Sequence, residues 1–440
     1  MRNSRICMVM VCVTCIVGAG FAYTEPSNAQ LSLYQKNPDA ISQLQQGTIK
    51  WASAAWWGFN PYDSTELLQS AIDSYANEVI VPNMGLPWIV RPIKLHSNQK
   101  ITFMPGVVIL AKKGEFKGSG DSLFSAENVE NLVISGYGAI LRMNKKDYQD
   151  KKQYEPAEWR MALSLRGCKN VTIKGVRFES SGGDGIYIGA TDKLDRCEDV
   201  VIRDVVCHDN HRQGISVISA VNLTIENCSL TNTEGTAPQA GIDFEPNRDN
   251  EQLNNILMKN CYIEGNKGAG ILMYLNTLKK KSLPISIKIE DCIMKNGFDH
   301  GIAIGAVGDD GPGGEVIFRN CHIEGPQKGG VFIFDKSSEG VKIVFDQCSC
   351  GNTPQKCDSF PIKIYQMKKS LVSTIGGISF NDCLISDNCE RSPIVVKAAD
   401  KKCEVKNLVG TIFTNGNSLL NAENETDSFL EQLFIQQVKD

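Results

Sequence analysis

Residues 225–228 read Ile-Glu-Asn-Cys, and similar phrases return at intervals that run from the low twenties to the mid thirties of residues. Each copy begins with an apolar residue, has Asn, Asp or Gln third and ends on Cys; the copies are residues 225–228, 258–261, 289–292, 318–321, 345–348 and 380–383, with weaker forms at 134–137, 173–176 and 202–205. A second phrase, Gly followed by Ile or Val, comes after a short polar gap and begins at Gly185, Gly214, Gly241, Gly270, Gly301 and Gly330. A unit repeated in this way predicts a solenoid.

The unit is too short for the helical solenoids. It holds two or three strands of alternating apolar residues between Gly and Asn turns, with no room for a ten-residue helix. This excludes leucine-rich and ankyrin arrays and disfavours a propeller, whose blade needs four strands. We therefore predict an all-β chain, a single right-handed parallel β-helix over residues 51–415.

Two columns of polar and sulfur-bearing residues follow from this fold. The Asn/Asp column predicts a ladder at a bend, with side-chain amides bonded to backbone groups of the bend. The Cys column should point inward and stack at about 4.8 Å per coil, whereas a disulfide needs β-carbons about 3.8 Å apart. We expect buried free thiols rather than redox or metal chemistry; the six are Cys228, Cys261, Cys292, Cys321, Cys348 and Cys383.

The two open ends of such a stack require caps. Asp63-Ser64-Thr65 begins a helical pattern of Leu67, Leu68, Ala71 and Ile72. Thr426 and Asp427 precede a second apolar face of Phe429, Leu430, Leu433 and Phe434. We predict short capping helices at both ends, with residues 23–50 as an N-terminal segment and residues 416–440 as a C-terminal capping segment.

The chain begins like an exported protein. Arg2 and Arg5 precede an apolar stretch that is too short to span a bilayer, and Gly20-Phe21-Ala22 matches a cleavage site. This predicts a signal peptide over residues 1–22, with Ser27-Asn28-Ala29 as a second cleavage candidate. We expect a secreted, periplasmic or cell-surface protein without stable membrane insertion after signal cleavage.

Composition excludes several functional classes. A 440-residue chain with 42% hydrophobic and 22% charged residues is not disordered. Its net charge of −4 and isoelectric point near 5.9 lack the basic footprint of a nucleic-acid binder. No phosphate-binding loop or dinucleotide-binding glycine motif is present.

Residues 63–72, Asp-Ser-Thr-Glu-Leu-Leu-Gln-Ser-Ala-Ile, followed by Val79-Ile80-Val81-Pro82, resemble the entry motif of the pectate-lyase-like superfamily. The resemblance covers roughly residues 50 to 400. It implies a right-handed parallel β-helix and a family of polygalacturonases, lyases, epimerases and phage tailspikes. Because this scaffold hosts many chemistries, the resemblance specifies the fold rather than the reaction.

One outer sheet face concentrates polar residues. The strand that follows each Gly-Ile phrase directs a first outward column of Ser164, Tyr187, Ser216, Asp243, Leu272, Ala303, Phe332 and Lys363. Asp243 and Glu245 are two residues apart, so their α-carbons are about 6.6 Å apart and both carboxyls should project the same way. This approaches the separation of roughly 6.5–9.5 Å in inverting glycosidases. A calcium site that also uses Asn247 and Asp249 is the alternative.

Residues 183–189, Gly-Asp-Gly-Ile-Tyr-Ile-Gly, resemble the strand that carries the catalytic acid of polygalacturonases. Asp184 matches the second of that family's adjacent aspartates, and Gly183 replaces the first. Gln213 stands where the family has His, and Arg160-Met161-Ala162 replaces Asn-Thr-Asp. The resemblance implies a catalytic acid at Asp184 and a related sugar-cleaving site one or two coils lower. The spacing of the repeat places Asp243 and Glu245 there, and we expect Asp184, Arg212, Asp243 and Glu245 to face one solvent-open cleft.

Further residues are candidates for substrate binding. His211 and Arg212 lie at the rim and can donate to an anionic sugar. Trp159, in an insertion over residues 144–159, can stack on a sugar ring. The remaining candidates lie on or beside the same face: Arg166, Tyr187, Gln213, Tyr274 and His300.

Three functions fit this pattern. The first is a glycoside hydrolase acting on a polysaccharide or oligosaccharide with Asp184, Asp243 and Glu245 as the catalytic set. The second is a lyase or epimerase acting on a uronate, with Arg166, Tyr187 and Arg212 in catalysis. The third is a carbohydrate-binding protein without catalysis. We expect no required cofactor, with calcium as a candidate ion and no other metal.

Overall fold

The computed structural model describes residues 33–352, 360–387, 389, 391–400, 402–415, 421–423 and 433–437. The predicted signal peptide lies outside these residues. Within these residues, strands are accompanied by the α-helices Pro38–Gln45 and Thr65–Ile72 and by the 3₁₀ helices Ala54–Trp57 and Asp147–Gln149. No helix in the described part of the chain is both long and apolar enough to cross a membrane.

The strands form two long parallel sheets. The 12-stranded sheet consists of Ile93–Lys94, Phe124–Glu127, Leu163–Arg166, Ile186–Gly189, Gln213–Val217, Ala240–Phe244, Ile271–Tyr274, His300–Val307, Gly329–Lys336, Ile362–Gln366, Ile394–Ala398 and Asn421–Glu423. The 22-stranded sheet consists of Trp51–Ser53, Glu78–Val81, Trp88–Val90, Gln99–Phe103, Val108–Ala111, Glu130–Arg142, Lys169–Glu179, Cys197–Arg203, Val206–His208, Ala220–Glu226, Ser229–Thr231, Leu253–Lys259, Tyr262–Glu264, Ile285–Glu290, Ile293–Lys295, Gly314–Arg319, His322–Glu324, Lys342–Asp346, Ser349–Gly351, Thr374–Ser386, Glu404–Thr414 and Leu433–Gln437.

Each strand pairs with the strand one coil further along the chain, which is the connectivity of a parallel β-helix. Ile256 pairs with Ile287, and Ile287 in turn pairs with Val316. Like residues therefore stack along the axis and form one continuous core. The rings of Phe318 and Phe345 lie 5.0 Å apart and almost parallel, and Phe380 extends the stack at 5.2 Å. The predicted β-helix is confirmed.

The Gly-Ile phrase marks a close approach between coils. A β-carbon on Gly214 would lie 2.3 Å from the carbonyl oxygen of Gly241 in the next coil. No side chain larger than hydrogen fits there without moving backbone, because real β-carbons are not found that close to an oxygen. The close approach at the start of the strands that carry the Gly-Ile phrase, such as those of Gly214, Gly241 and Gly270, therefore requires glycine.

The Asn/Asp column lies at the predicted bend. Its side chains, however, bond to side chains of neighbouring coils and not to the backbone groups that were predicted. Asn227 and Asp291 have positive φ angles of 55° and 53°, which Asn and Asp tolerate better than most residues. The exposed amide of Asn227 donates to Asp204 Oδ1 at 3.3 Å in the preceding coil, rather than to backbone. A ladder to backbone occurs elsewhere: the buried Asn266 accepts from the Thr233 N–H at 2.9 Å and donates to the Leu230 carbonyl at 3.0 Å.

The predicted Cys column is confirmed as buried and free of disulfides. All six of its cysteines are free and buried. The contacts of Cys261 show the pattern: its Sγ lies 3.3 Å from the Lys259 carbonyl and 3.8 Å from the Ile225 carbonyl of the preceding coil. The thiols therefore fill the core and weakly satisfy bend carbonyls.

The N-terminal cap is confirmed and the C-terminal helix is not. Asp63 accepts the backbone N–H of Thr65 at 3.0 Å, and the following helix buries Leu68 and Ile72 against the core. The predicted C-terminal helix begins outside the described residues. Where the description resumes, residues 433–437 form a strand that pairs in parallel with residues 410–414. Leu433 is buried while Phe434 is 58% exposed, so the alternation of a strand replaces the predicted helical face.

Candidate active site on the outer face of the 12-stranded sheet

Strand registers confirm the predicted outward column. Tyr187 pairs with Ser216, Ser216 with Asp243, and Asp243 with Leu272. Both faces of the strands that carry Tyr187, Ser216 and Asp243 are buried, whereas the Ile271–Tyr274 strand alternates between buried and half-buried residues. The outer face of the sheet is therefore covered where the polar residues concentrate.

Arg212 is the cation at the centre of this covered region. It directly precedes the Gln213–Val217 strand, and its backbone N–H donates to the Gly183 carbonyl at 3.0 Å. Its Nη2 lies 3.1 Å from Glu245 Oε2 and its Nη1 lies 3.9 Å from Asp184 Oδ1. Its Nε lies 3.7 Å from Glu158 Oε1. One guanidinium thus faces three carboxylates contributed by three segments of the chain.

Asp184 is fully buried just before the Ile186–Gly189 strand. Neither of its carboxylate oxygens accepts a hydrogen bond from a residue that the structure describes. Burial raises the pKa of Asp184 to about 7, although the nearby Arg212 opposes the shift. This carboxyl is therefore half protonated at neutral pH and able to act as an acid.

Asp243 is also fully buried, on the Ala240–Phe244 strand. Gln213 Nε2 donates to its Oδ2 at 2.9 Å, and Gln213 Oε1 accepts the Ala240 N–H at 2.8 Å, which fixes the orientation of the Gln213 amide. Burial raises the pKa of Asp243 well above its usual value, and the neighbouring Glu245 raises it further. Burial and the neighbouring Glu245 charge therefore both favour the protonated form of Asp243.

Glu245 follows the same strand and remains 30% exposed. The three predicted catalytic carboxyls therefore lie together around Arg212, as the repeat predicted, although the solvent-open cleft expected around them was wrong. Arg212 lies beside the buried Asp184 and is itself met by Glu158 of the 144–159 insertion, whereas the Gln213 amide lies against the buried Asp243. Alternation assigns a residue to a face of the sheet, but it does not reveal what packs on that face.

Arg166 and Tyr187 interact with each other rather than with a carboxylate. The Arg166 guanidinium lies 4.2 Å from the centre of the Tyr187 ring, and Tyr187 packs with Met161 and Ile218 in a small apolar cluster outside the main core. Burial raises the pKa of Tyr187, which makes it a poor base. The pair forms a wall on the N-terminal side of Asp184.

His211 and Trp159 line a cleft of about 350 Å³ beside the carboxyl cluster. His211 Nε2 lies 2.9 Å from Thr236 Oγ1, and burial together with Lys145 lowers the pKa of His211, so this imidazole is neutral at pH 7. Trp159 is 50% exposed at the cleft. Glu158 also lines the cleft and links it to Arg212. Sequence reasoning missed Glu158; its position beside Trp159 in the insertion was the available signal.

Tyr274 and His300 lie one and two coils beyond Asp243 and outside the carboxyl cluster. His300 Nδ1 lies 2.6 Å from Asp299 Oδ1, and its ring stacks on Phe332 at 4.8 Å. Burial lowers the pKa of His300. These two residues form part of an aromatic surface and not of the site around Arg212.

The predicted calcium ligands do not converge. Asp249 pairs with Lys281 at 2.5 Å, and the backbone N–H of Arg248 donates to Glu251 at 3.0 Å. Within the described ranges, no three His, Cys, Asp or Glu side chains are grouped in a way that could hold a metal ion. The arrangement instead combines two buried carboxyls of raised pKa with a more exposed carboxylate and a cation, which is suited to acid–base chemistry.

Comparisons with known proteins agree with this class of fold. The family described as "Right handed beta helix region" matches residues 117–251 and 157–350, which together exceed half of the chain. The chain belongs to this family, and the predicted right-handed parallel β-helix is confirmed.

Curated relatives match shorter stretches. The uncharacterized protein YclG of Bacillus subtilis (strain 168) is 29% identical over 164 residues, which cover 34% of this chain and 28% of that protein. A probable polygalacturonase of Arabidopsis thaliana is 24% identical over 264 residues, which cover 57% of this chain and 46% of that protein. This chain thus spans less than half the length of each of these relatives.

Among solved structures, the family 28 exopolygalacturonase of Yersinia enterocolitica superposes with a TM-score of 0.60. The superposition covers 89% of this chain and 79% of that chain at 14% identity. At this identity the similarity concerns the fold, and it agrees with the predicted resemblance to the pectate-lyase-like superfamily.

Proposed function

We propose that this chain is an exported glycoside hydrolase that cleaves a polysaccharide or oligosaccharide. One observation carries the proposal: Asp184, Asp243 and Glu245 lie together around the guanidinium of Arg212, and burial raises the pKa of both aspartates. Glycoside hydrolysis needs an acid for the leaving oxygen and a carboxylate that activates water or attacks the sugar. The similarity to polygalacturonases supports the same class of chemistry.

The three carboxyls take different roles in this proposal. Glu245, which is partly exposed and bonded to Arg212, acts as the carboxylate facing water or the sugar. Asp243 donates its proton to the glycosidic oxygen, and the Gln213 amide keeps that carboxyl oriented. Asp184, whose pKa is raised to about 7, can give up a proton near neutral pH, and Arg212 balances the charge of the carboxylate that remains.

Arg212 also suggests how substrate enters the covered site. Its contact with Glu158, at 3.7 Å, is longer than its contact with Glu245 and comes from the insertion. A sugar carboxylate would compete with Glu158 for the guanidinium, since Arg prefers planar, bidentate partners. Displacement of Glu158 would move the insertion away and uncover Asp243. The proposed substrate is therefore a uronate-containing polymer.

A uronate lyase or epimerase is the second candidate, because His211 is neutral and lines the open cleft. A neutral imidazole can remove the proton beside a sugar carboxylate, whereas Tyr187, with its raised pKa, cannot do so readily. The base would then be His211, and Arg212 would neutralise the carboxylate.

The test is turnover of a panel of polygalacturonate, alginate and xylan by the purified chain, with products analysed for reducing ends and for ultraviolet absorbance. New reducing ends without absorbance support the hydrolase. An absorbing, unsaturated product supports the lyase. Altered sugar configuration without cleavage supports an epimerase, and binding without any product supports the non-catalytic alternative.

Export is proposed from the sequence pattern of residues 1–22. Expression with the native N-terminus should release a chain that begins at Tyr23, or at Gln30 if the second cleavage site is used. N-terminal sequencing of the secreted protein distinguishes the two, and retention of Met1 on intracellular protein would contradict the proposal.

A further inference from the structure

Beyond Asp243, the outer face of the 12-stranded sheet changes from polar to aromatic. A second outward column lies on the same face, two residues further along each strand than the first, and strand registers carry it from Tyr274 to Gly305, Phe334 and Tyr365 in successive coils. Phe332 lies in the adjacent first column, three coils beyond Asp243. We call Tyr274, Phe332, Phe334 and Tyr365 the aromatic platform.

The rings of the aromatic platform form one connected surface. Phe332 stacks on Phe334 at 5.1 Å and meets Tyr365 edge-on at 5.7 Å. Phe334 reaches across to Tyr274, with ring centres 6.4 Å apart. The coil between them carries Gly305, where a β-carbon would lie 2.5 Å from the Phe334 ring. The absence of a side chain at Gly305 therefore allows the surface to continue without a gap.

The aromatic platform is not needed to close the core. The β-helix has its own internal aromatic stack, in which Phe318, Phe345 and Phe380 are almost fully buried. The four platform rings are instead half-buried and lie on the outer face, where apolar surface remains in contact with solvent. A contiguous apolar patch of this kind marks a binding surface more often than a structural one.

The platform is also free of charged residues up to its last coil, where Lys363 pairs with Phe332 and lies on the same strand as Tyr365. Between Asp243 and Lys363 the first column contains Leu272, Ala303 and Phe332. From Tyr274 to Tyr365 the second column contains only aromatic residues and glycine. This surface suits the C–H faces of sugar rings, which stack on aromatic rings, better than it suits sugar carboxylates.

We propose that the aromatic platform holds several consecutive sugar rings of a polysaccharide whose cleaved bond lies at Asp243 and Glu245. This inference rests on the proposed function. Asp243 and Lys363 are four coils apart, which corresponds to about 19 Å along the axis. A glycan lying along the axis therefore contacts the carboxyl cluster at one end and the platform over the rest of its length. The substrate is a long chain rather than a disaccharide.

Affinity electrophoresis in gels containing polygalacturonate, alginate or xylan tests the proposal. Phe332→Ala and Tyr365→Ala should each weaken retardation by the bound polymer about three- to tenfold, since one aromatic contact is lost. Phe332→Tyr keeps the ring and should retain affinity. Tyr62→Ala is the matched control, because Tyr62 is 82% exposed and lies outside both sheets. Circular dichroism and thermal unfolding establish that each variant is folded.

The outcomes separate this inference from the proposed function. If the polymer is cleaved and both alanine variants keep full affinity, the proposed glycan binding by the aromatic platform is refuted, while the proposed hydrolase activity is supported. If the variants lose affinity but wild type cleaves none of the polymers, glycan binding by the platform is supported and the proposed hydrolase activity is refuted. A dimer that forms in sedimentation and is abolished by Phe332→Ala would overturn the glycan assignment, because the rings would then be a self-association surface.

Discussion

Replacing Asp184 with Asn should make the protein more stable at neutral pH while making it less active. Asp184 is fully buried, and burial raises its pKa from 3.8 to about 7. A carboxyl that is destabilised when ionised in the folded chain opposes folding at any pH where it is charged. Natural sequences retain such a group where function requires it.

The size and sign of this change in stability follow from the thermodynamic linkage between the protonation of Asp184 and folding. In the unfolded chain Asp184 ionises near pH 4, whereas in the folded chain it ionises near pH 7. Because a tenfold change in a protonation equilibrium is worth about 1.4 kcal/mol, the charged form costs the folded chain about 4 kcal/mol. The contribution of Asp184 to the free energy of unfolding therefore falls as pH rises from 4 to 7 and levels off above 7. Asp184→Asn removes this loss.

Urea unfolding of wild type and Asp184→Asn at pH 4 and pH 8 measures the effect. The two proteins should differ little at pH 4, where wild-type Asp184 is neutral, and the variant should be more stable by up to about 4 kcal/mol at pH 8. Asp192→Asn is the control, since the Asp192 side chain is 99% exposed. If Asp184→Asn is less stable than wild type at pH 8, the attraction to Arg212 outweighs burial and the reasoning is wrong.

Three further predictions concern the core, the coil bend and the cation. The native Cys column should react slowly with thiol reagents and completely in urea, since all six thiols are buried away from the reagent in the folded chain; rapid native labelling would contradict this. Gly214→Ala should lower the free energy of unfolding in urea by about 1–3 kcal/mol, whereas Gly120→Ala, with nothing within 4 Å of the new β-carbon, should not. Arg212→Lys should raise the KM for a uronate polymer about tenfold in steady-state assays, because the planar contacts to carboxylates are lost, and an unchanged KM would remove Arg212 from substrate binding.

The fold was predictable because its signals are local and repeated. The recurring Asn-Cys phrase set the coil length, and alternation within each strand separated inward from outward residues. Hence the sequence predicted that Ser216 and Asp243 are neighbours in one outward column, and the strand register confirms it. The burial of Cys261 and its neighbours in the column followed in the same way.

The rest depended on packing that no local pattern encodes. Asp184 and Asp243 are buried, and a distant insertion brings Glu158 onto the Arg212 that lies beside Asp184. The partner of Asn227 is a carboxylate one coil earlier, which depends on how bends align along the axis. Leu433 and Phe434 fit either a helix or a strand, and the free edge of the preceding strand, which offers unpaired backbone groups, decides in favour of the strand.

The most direct measurement is the release of reducing ends from the preferred polymer by wild type, Asp243→Asn and Glu245→Gln. Glu226→Gln is the control, because the Glu226 carboxylate pairs with Lys259 on the 22-stranded sheet, away from the site. The account predicts that each of the two site variants loses about 10²–10⁴ in rate while remaining folded, because a positioned acid or base is removed. Glu226→Gln should retain the wild-type rate. Full activity in both Asp243→Asn and Glu245→Gln would contradict the assignment of this carboxyl cluster as the catalytic site.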